Sequence, residues 1–342
     1  MVKKRVVTFG EIMLRLGTDN YYRFTQTKNY MATYGGGEAN VAVSLANFGL
    51  DVRFISKVPK HEIGQAGINS LREYGVDTSF ITRGGERIGI YFIEKGASQR
   101  PSKVIYDRKD SAIAKSSEAD FDWNEIFEKT QWFHFTGITP ALSNKTSEIC
   151  LQACKIAKKK NITISCDLNF RKKLWSKENA KKTMEKICKF VDVCIANEED
   201  IGDIFGIKAK HSDVASGKIN YEDYKEVAKA VVDKFDFSKV AITLRSSISA
   251  NDNRWAAMLY DKNKFYFSKE YLIHIVDRVG GGDSFGAGLI YSLINNFSPN
   301  DALEFAVAAS CLKHSIEGDY NQVSVNDVLN LVNGDSSGRV QR

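Results

Sequence analysis

Three features predict an α/β protein with one mostly parallel sheet covered by helices on both faces. Short β-branched strands alternate with helix-length segments over most of the chain. Fully apolar runs such as residues 240–244 suit strands buried on both sides. Glycine clusters stand just ahead of predicted helices, at Gly35 to Gly37 and Gly280 to Gly282.

The elements follow in order. Residues 2–9 read as an opening strand, 39–48 as a helix stopped by Gly49, 51–58 as a strand, and 63–74 as a helix stopped by Gly75. Strand, helix, strand at that length is a βαβ unit. The rhythm resumes with a strand at 132–135 and a helix at 145–159. A strand at 162–168, a helix at 177–190, a strand at 191–196, a helix at 221–235 and a strand at 240–244 come next. Residues 283–294 are hydrophobic nearly all round, the pattern of a buried helix. Two stretches break the alternation. Residues 87–94 and 103–108 are consecutive strands with a turn at Gly96, Ala97 and Ser98, so they predict a small antiparallel β ribbon projecting from the main sheet, joined by 13–33. A hairpin spans 255–267. The division expected is a core of 1–12, 34–86 and 112–334, a lid of 13–33 and 87–111, and a tail of 335–342.

Composition narrows the class. The 342 residues are 43 % hydrophobic and 26 % charged, with 4 Pro among 25 Gly, which excludes disorder and collagen-like repeats. A net charge of +6, spread along the chain, suits a solvated surface or an anionic small ligand better than nucleic acid. Five of the six cysteines lie in apolar stretches without a C-x-x-C, as reduced buried thiols do, and the five histidines show no zinc-ligand spacing. The N-terminus lacks a signal-peptide pattern, and the most apolar stretch is too short to span a bilayer. These features predict a soluble cytoplasmic protein with no membrane partner.

The segment Asp277-Arg278-Val279-Gly280-Gly281-Gly282-Asp283 carries the chemistry. Glycines ahead of a buried helix let a ligand approach the free N–H groups of its first turn, an anion site. A carboxylate there is costly beside a phosphate unless it works, so Asp283 is a candidate base for a hydroxyl attacking a phosphoryl group. The competing reading is a glycine turn with Asp283 as a helix cap. Dinucleotide spacing fails at Phe285, and no G-x-x-x-x-G-K-[ST] occurs. Tyr34-Gly35-Gly36-Gly37-Glu38-Ala39-Asn40 opens the first helix. Asn40 there can donate and accept, as sugar hydroxyls require, or can be an ordinary helix residue.

Together the two segments resemble the signatures of the ribokinase-like (PfkB) carbohydrate kinases, a GG-x-x-x-N element and a D-x-x-G-[AG]-G-D element. The resemblance implies a three-layer α/β/α sandwich with a β lid over a sugar, and ATP and Mg²⁺ as cofactors, with a monovalent cation left open. It implies Asp283 as base and Gly280, Gly281 and Gly282 as anion hole. Within the family, Tyr106-Asp107-Arg108-Lys109-Asp110-Ser111-Ala112 and Asp167-Leu168-Asn169-Phe170-Arg171 are similar to the 2-keto-3-deoxygluconate kinases. That likeness implies Tyr106 and Arg108 at the substrate's carboxylate, a task the arginine fork suits. It places Gly36, Gly37, Asn40, Tyr91, Arg171 and Asp319 at the substrate too, and implies phosphorylation of the 6-hydroxyl. An exposed strand carrying a charge pair is the plainer account of Tyr106 and Arg108. The nucleotide side would comprise Asn169, Arg171, Thr243, Arg245, Ser246, Gly280 and Gly282.

Two departures stand out. The family's N-x-x-E magnesium element is Asn197-Glu198-Glu199-Asp200, so Asn197 with Glu199 or Asp200 would act through water, unless Asn197 only caps a helix. The glycine loop after residue 244 is replaced by Arg245-Ser246-Ser247-Ile248-Ser249-Ala250-Asn251. The alternatives are a sister kinase for fructose, ribose or 5-keto-2-deoxygluconate, and a non-catalytic sugar-binding relative. Lid strands of the family often pair between subunits, which implies a homo-oligomer.

Overall fold

The computed structural model describes residues 4–208 and 221–334. The start of the opening strand and the tail at 335–342 lie outside them. Among the described residues the main sheet has nine strands. Parallel pairing runs unbroken from Asp51–Ile55 through Arg5–Phe9, Thr130–Thr136, Thr163–Asp167 and Val193–Asn197 to Lys239–Ser247. Beyond it the long strand Asp252–Tyr260 turns antiparallel and pairs with both Phe265–Phe267 and Tyr271–His274. Alternation along Arg5–Phe9 explains the two cores. Val7 and Phe9 enter one apolar layer and Val6 the other, all of them fully buried.

The strand predicted at 240–244 runs on to Ser247, since the hairpin partner extends the ladder to the pair Ser247 and Asn253. Part of the segment read as a replaced nucleotide loop is therefore strand. Residues 51–58 split into Asp51–Ile55 in the main sheet and Lys57–Val58, which pairs with Thr82–Arg83 in a separate ribbon.

The small sheet has four strands, ordered Met31–Gly35, Met13–Gly17, Gly89–Glu94, Lys103–Asp107. Both outer pairings are antiparallel, and the central one is parallel. Only the two ends of 13–33 supply strands, and the second runs on to Gly35. Glu11 and Gly10 link this sheet to the end of Arg5–Phe9, so it sits over the carboxyl ends of the parallel strands, where ligands of open α/β sheets bind.

The helix Gly281–Ile294 packs on Pro299–Lys313, a helix the sequence reading did not mark. The approach is close at Gly288, where a Cβ would come within 2.8 Å of Ala306 Cα. Ser298 caps the second helix by accepting from Asp301 N at 3.2 Å, with Pro299 in its first turn. This pairing fixes the glycine end of Gly281–Ile294 against the sheet. Among the described residues no helix is long and apolar enough to cross a membrane.

Candidate active site

Gly280 precedes the helix in the left-handed region, at φ +82°, and a Cβ there would sit 2.1 Å from Asp319 O. The first bond back to the cap runs from Ser284 N to Gly280 O at 2.8 Å. The amides of Gly282 and Asp283 come before it and are the orphan donors of the first turn. Gly281 is less available. Its N–H leans on Arg278 O at 3.4 Å, and its Cα is packed on the His314 ring. Gly282 is open, with nothing within 4 Å of a Cβ built on it.

Asp283 follows, half-buried, and Asn40 Nδ2 donates to its Oδ2 at 2.7 Å. Burial pushes the Asp283 carboxyl up to about 7, against the pull of the Asn40 hydrogen bond and with help from the Asp319 and Glu38 charges. A carboxylate titrating near neutrality beside unpaired amides can take a proton from a hydroxyl whose partner is an anion.

Two cavities meet here. One, of about 360 Å³, lies under the small sheet and is lined by Gly36, Gly37, Asn40, Tyr91, Tyr106, Arg108, Gly280, Asp283 and Asp319. The other, of about 260 Å³, lies along the carboxyl ends of the strands and includes Thr243, Asn197, Glu199 and Asp200. Asn169, Arg171, Arg245, Arg278 and Gly282 line both. Of the residues expected in the site, Gly281 and Ser246 line neither. Gly281 is buried, and Ser246 lies opposite Arg254 in the strand ladder.

Arg108 is not on an exposed strand face. It is buried at 7 % exposure and ion-paired with the buried Glu11, donating from Nε to Oε2 at 2.7 Å. Ser111 Oγ donates to the other Glu11 oxygen at 2.5 Å. Tyr106 stays half-exposed at the cavity's edge, its ring 5.4 Å from the Arg108 guanidinium. Asp319 is likewise engaged. It accepts from Tyr91 Oη at 2.5 Å and from Arg15 Nη1 at 2.7 Å, while Arg15 Nη2 reaches Asp277 at 2.5 Å. Arg15 thus ties the small sheet to the loops on either side of the anion hole.

In the second cavity Asn197 Oδ1 accepts from Asp200 N at 2.8 Å, the helix cap that was its competing reading. Burial lifts the Asp200 carboxyl to about 7, against the nearby Arg171 charge. Burial, then Asp200 and Asp283, push Asp167 well above the usual carboxylate range. Among the described residues no three ligand groups close into a metal cage. Glu199 and Asp200 present hard carboxylate oxygens to this cavity, the donor type that Mg²⁺ takes.

Glu11, Arg15, Asp277 and Lys313 escaped the sequence reading as site residues. For Arg15 a signal existed. Met13, Arg15 and Gly17 alternate on the buried face of their strand, so a charged residue falls inward. Lys313 is fully buried behind Gly280 and donates to Ile316 O at 3.0 Å. It ends a helix that carries no periodicity to mark its inner face.

A mostly parallel nine-stranded sheet with a four-stranded companion over the ends of its strands is the ribokinase-like fold. Residues 3–325 match the pfkB family carbohydrate kinases, and the chain belongs to that family. A solved structure of 2-dehydro-3-deoxygluconokinase from Thermotoga maritima is 49 % identical, with a TM-score of 0.93 over 97 % of this chain and 99 % of that one. The 2-dehydro-3-deoxygalactonokinase of Haloferax volcanii is 30 % identical over 97 % of this chain and 98 % of its own length. A 5-dehydro-2-deoxygluconokinase of Clostridium perfringens is 25 % identical over 92 % of this chain and 89 % of its own.

Proposed function

We propose that this chain is an ATP-dependent kinase that phosphorylates the 6-hydroxyl of 2-keto-3-deoxy-D-gluconate, giving the 6-phosphate and ADP. The observation that carries the reading is Asp283, a carboxyl lifted to about 7 beside the open Gly282 amide where the two cavities meet. The sugar acid occupies the cavity under the small sheet, and the nucleotide the other. Asp283 takes the proton of the 6-hydroxyl as its oxygen bonds to the γ-phosphorus. The bond from that phosphorus to the β,γ-bridging oxygen breaks, and its electron pair leaves with ADP. Gly282 and Asp283 amides receive the charge on the equatorial oxygens, with Arg171 alongside. Glu199 and Asp200 would hold Mg²⁺ through water, and the ion would supply neutralisation of phosphate charge. The small sheet acts as a lid that keeps water from the phosphoryl group.

Arg108 is proposed to meet the substrate's carboxylate with Nη1, since Nε and Nη2 serve Glu11. Likeness to the Thermotoga maritima enzyme favours the gluconate skeleton. The Haloferax volcanii relative favours the galactonate epimer as second reading.

The test is a coupled ADP-release assay with ATP and Mg²⁺, with and without K⁺. The panel holds both keto-deoxy acids, 5-keto-2-deoxygluconate, fructose and ribose. Preference for 2-keto-3-deoxygluconate is expected. Preference for a neutral sugar would sink the substrate assignment, and silence throughout would favour a non-catalytic relative. Light scattering in solution tests the homo-oligomer, for which the exposed Met31 and Ile105 on the outer strands of the small sheet are candidate contacts.

A further inference from the structure

Arg171, Arg245 and Arg278 stand in the wall common to both cavities. Among the described residues none of the three makes an ion pair, whereas Arg15 and Arg108 nearby are each bound to buried carboxylates. Sequence reading placed Arg171 and Arg245 at the nucleotide and left Arg278 without a task.

Arg278 is the most constrained of the three. Its Nη2 donates to Ala250 O at 2.9 Å, while Nε is sealed from solvent and has no acceptor. Burial, then the charge of Arg245, press its pKa down, and Asp277 opposes them. A desolvated donor left unmet is destabilising, and a cation beside a second cation adds to that. An anion arriving between the cavities offsets the charge-on-charge cost, and Nη1, neither sealed nor bound, is the donor left to meet a phosphate oxygen.

The anchor has its own support. Ala250 N donates to Ser98 O at 2.7 Å, and Ser98 N donates to Asn251 Oδ1 at 2.8 Å. Ser98 is at the turn that joins two strands of the small sheet, so the carbonyl holding Arg278 belongs to a loop docked on that turn.

We infer that Arg278 is a phosphate-gripping catalytic residue, meeting the phosphate chain at the point of transfer from an anchor completed by the tip of the small sheet. This rests on the phosphotransfer reading above. Arg171 lines the same junction, so two cations flank the path of the transferring group. Arg278 stands two residues before Gly280, and one backbone segment therefore sets both.

The experiment compares wild type with Arg278→Gln and Arg278→Lys by steady-state kinetics, ADP calorimetry and thermal melting. Expected for Arg278→Gln is a fall of ~10²–10³ in kcat, the scale of losing one transition-state donor. Melting should change little, ADP should bind at least tenfold more weakly, and Arg278→Lys should recover part of the loss. A kcat and ADP affinity within twofold of wild type would overturn the inference. If Arg278→Gln melts below the assay temperature, Arg278→Lys decides instead, a tenfold or greater loss supporting the role and unchanged kinetics refuting it. Wild type that turns over no member of the panel would defeat the phosphotransfer reading. Arg278 would then stand or fall on ADP affinity alone.

Discussion

Asn40 and Asp283 are joined by a 2.7 Å hydrogen bond across 243 residues of sequence. One residue belongs to the first glycine segment and the other to the late one, so the contact unites the two motifs in a single site. It also tunes chemistry, because a donor to the ionised carboxylate favours that form.

The pH profile should report this pair. With Asp283 lifted to about 7, a base that must be ionised gives kcat/KM that rises with pH through about 7 and then levels. Asn40→Ala removes the stabilising donor, so the acid limb should move to higher pH. Asp283→Asn should cost at least ~10²–10⁴ in kcat and abolish the limb. A pH series of initial rates on the three proteins checks this. An unmoved limb in Asn40→Ala would separate the hydrogen bond from the titration.

Arg108 and Glu11 make a second prediction, in which stability and specificity come apart. Both side chains are buried, so Arg108→Ala leaves the Glu11 carboxylate unpaired at a cost of about 3–5 kcal/mol. Glu11→Gln with Arg108→Met removes both charges, and urea unfolding should show most of that loss restored. Turnover of a keto-deoxy acid should stay crippled in the double variant if the arginine grips the carboxylate, while any turnover of neutral sugars changes little. Recovery of acid turnover together with stability would assign Arg108 to architecture alone.

The same residues show what the sequence could reveal. The glycine segments were legible because few other residues permit a φ of +82° at Gly280 or open space at Gly282. The alternation of strands and helices was legible from periodicity, and so was the small sheet's existence. Ion-pair partners are different. Arg15 and Asp319 lie 304 residues apart and Arg108 and Glu11 97, and no local pattern encodes such a pairing. The helix Pro299–Lys313 is buried on most sides, so it lacks the polar face that would have marked it. Lys239–Ser247 outran its apolar stretch because its length is set by the hairpin beside it, a tertiary fact.

Neighbouring glycines allow the anion hole to be tested apart from the fold. Gly280→Ala puts a methyl 2.1 Å from Asp319 O at a positive φ, so the loop must shift and the protein should lose both stability and activity. Gly282→Ala meets no protein atom within 4 Å and needs no unusual dihedral. Its methyl projects into open space at the meeting of the cavities, where a phosphoryl group must come close to the amide. Melting within about 2 °C of wild type is therefore expected, since a surface change without a lost contact costs little. A fall of at least ~10² in kcat should accompany it, the scale of one lost oxyanion donor. Stability and activity therefore fall together in Gly280→Ala and come apart in Gly282→Ala, at positions two residues apart. If Gly282→Ala keeps full turnover, the phosphoryl group does not lie on this helix end, and the base assigned to Asp283 would need another partner.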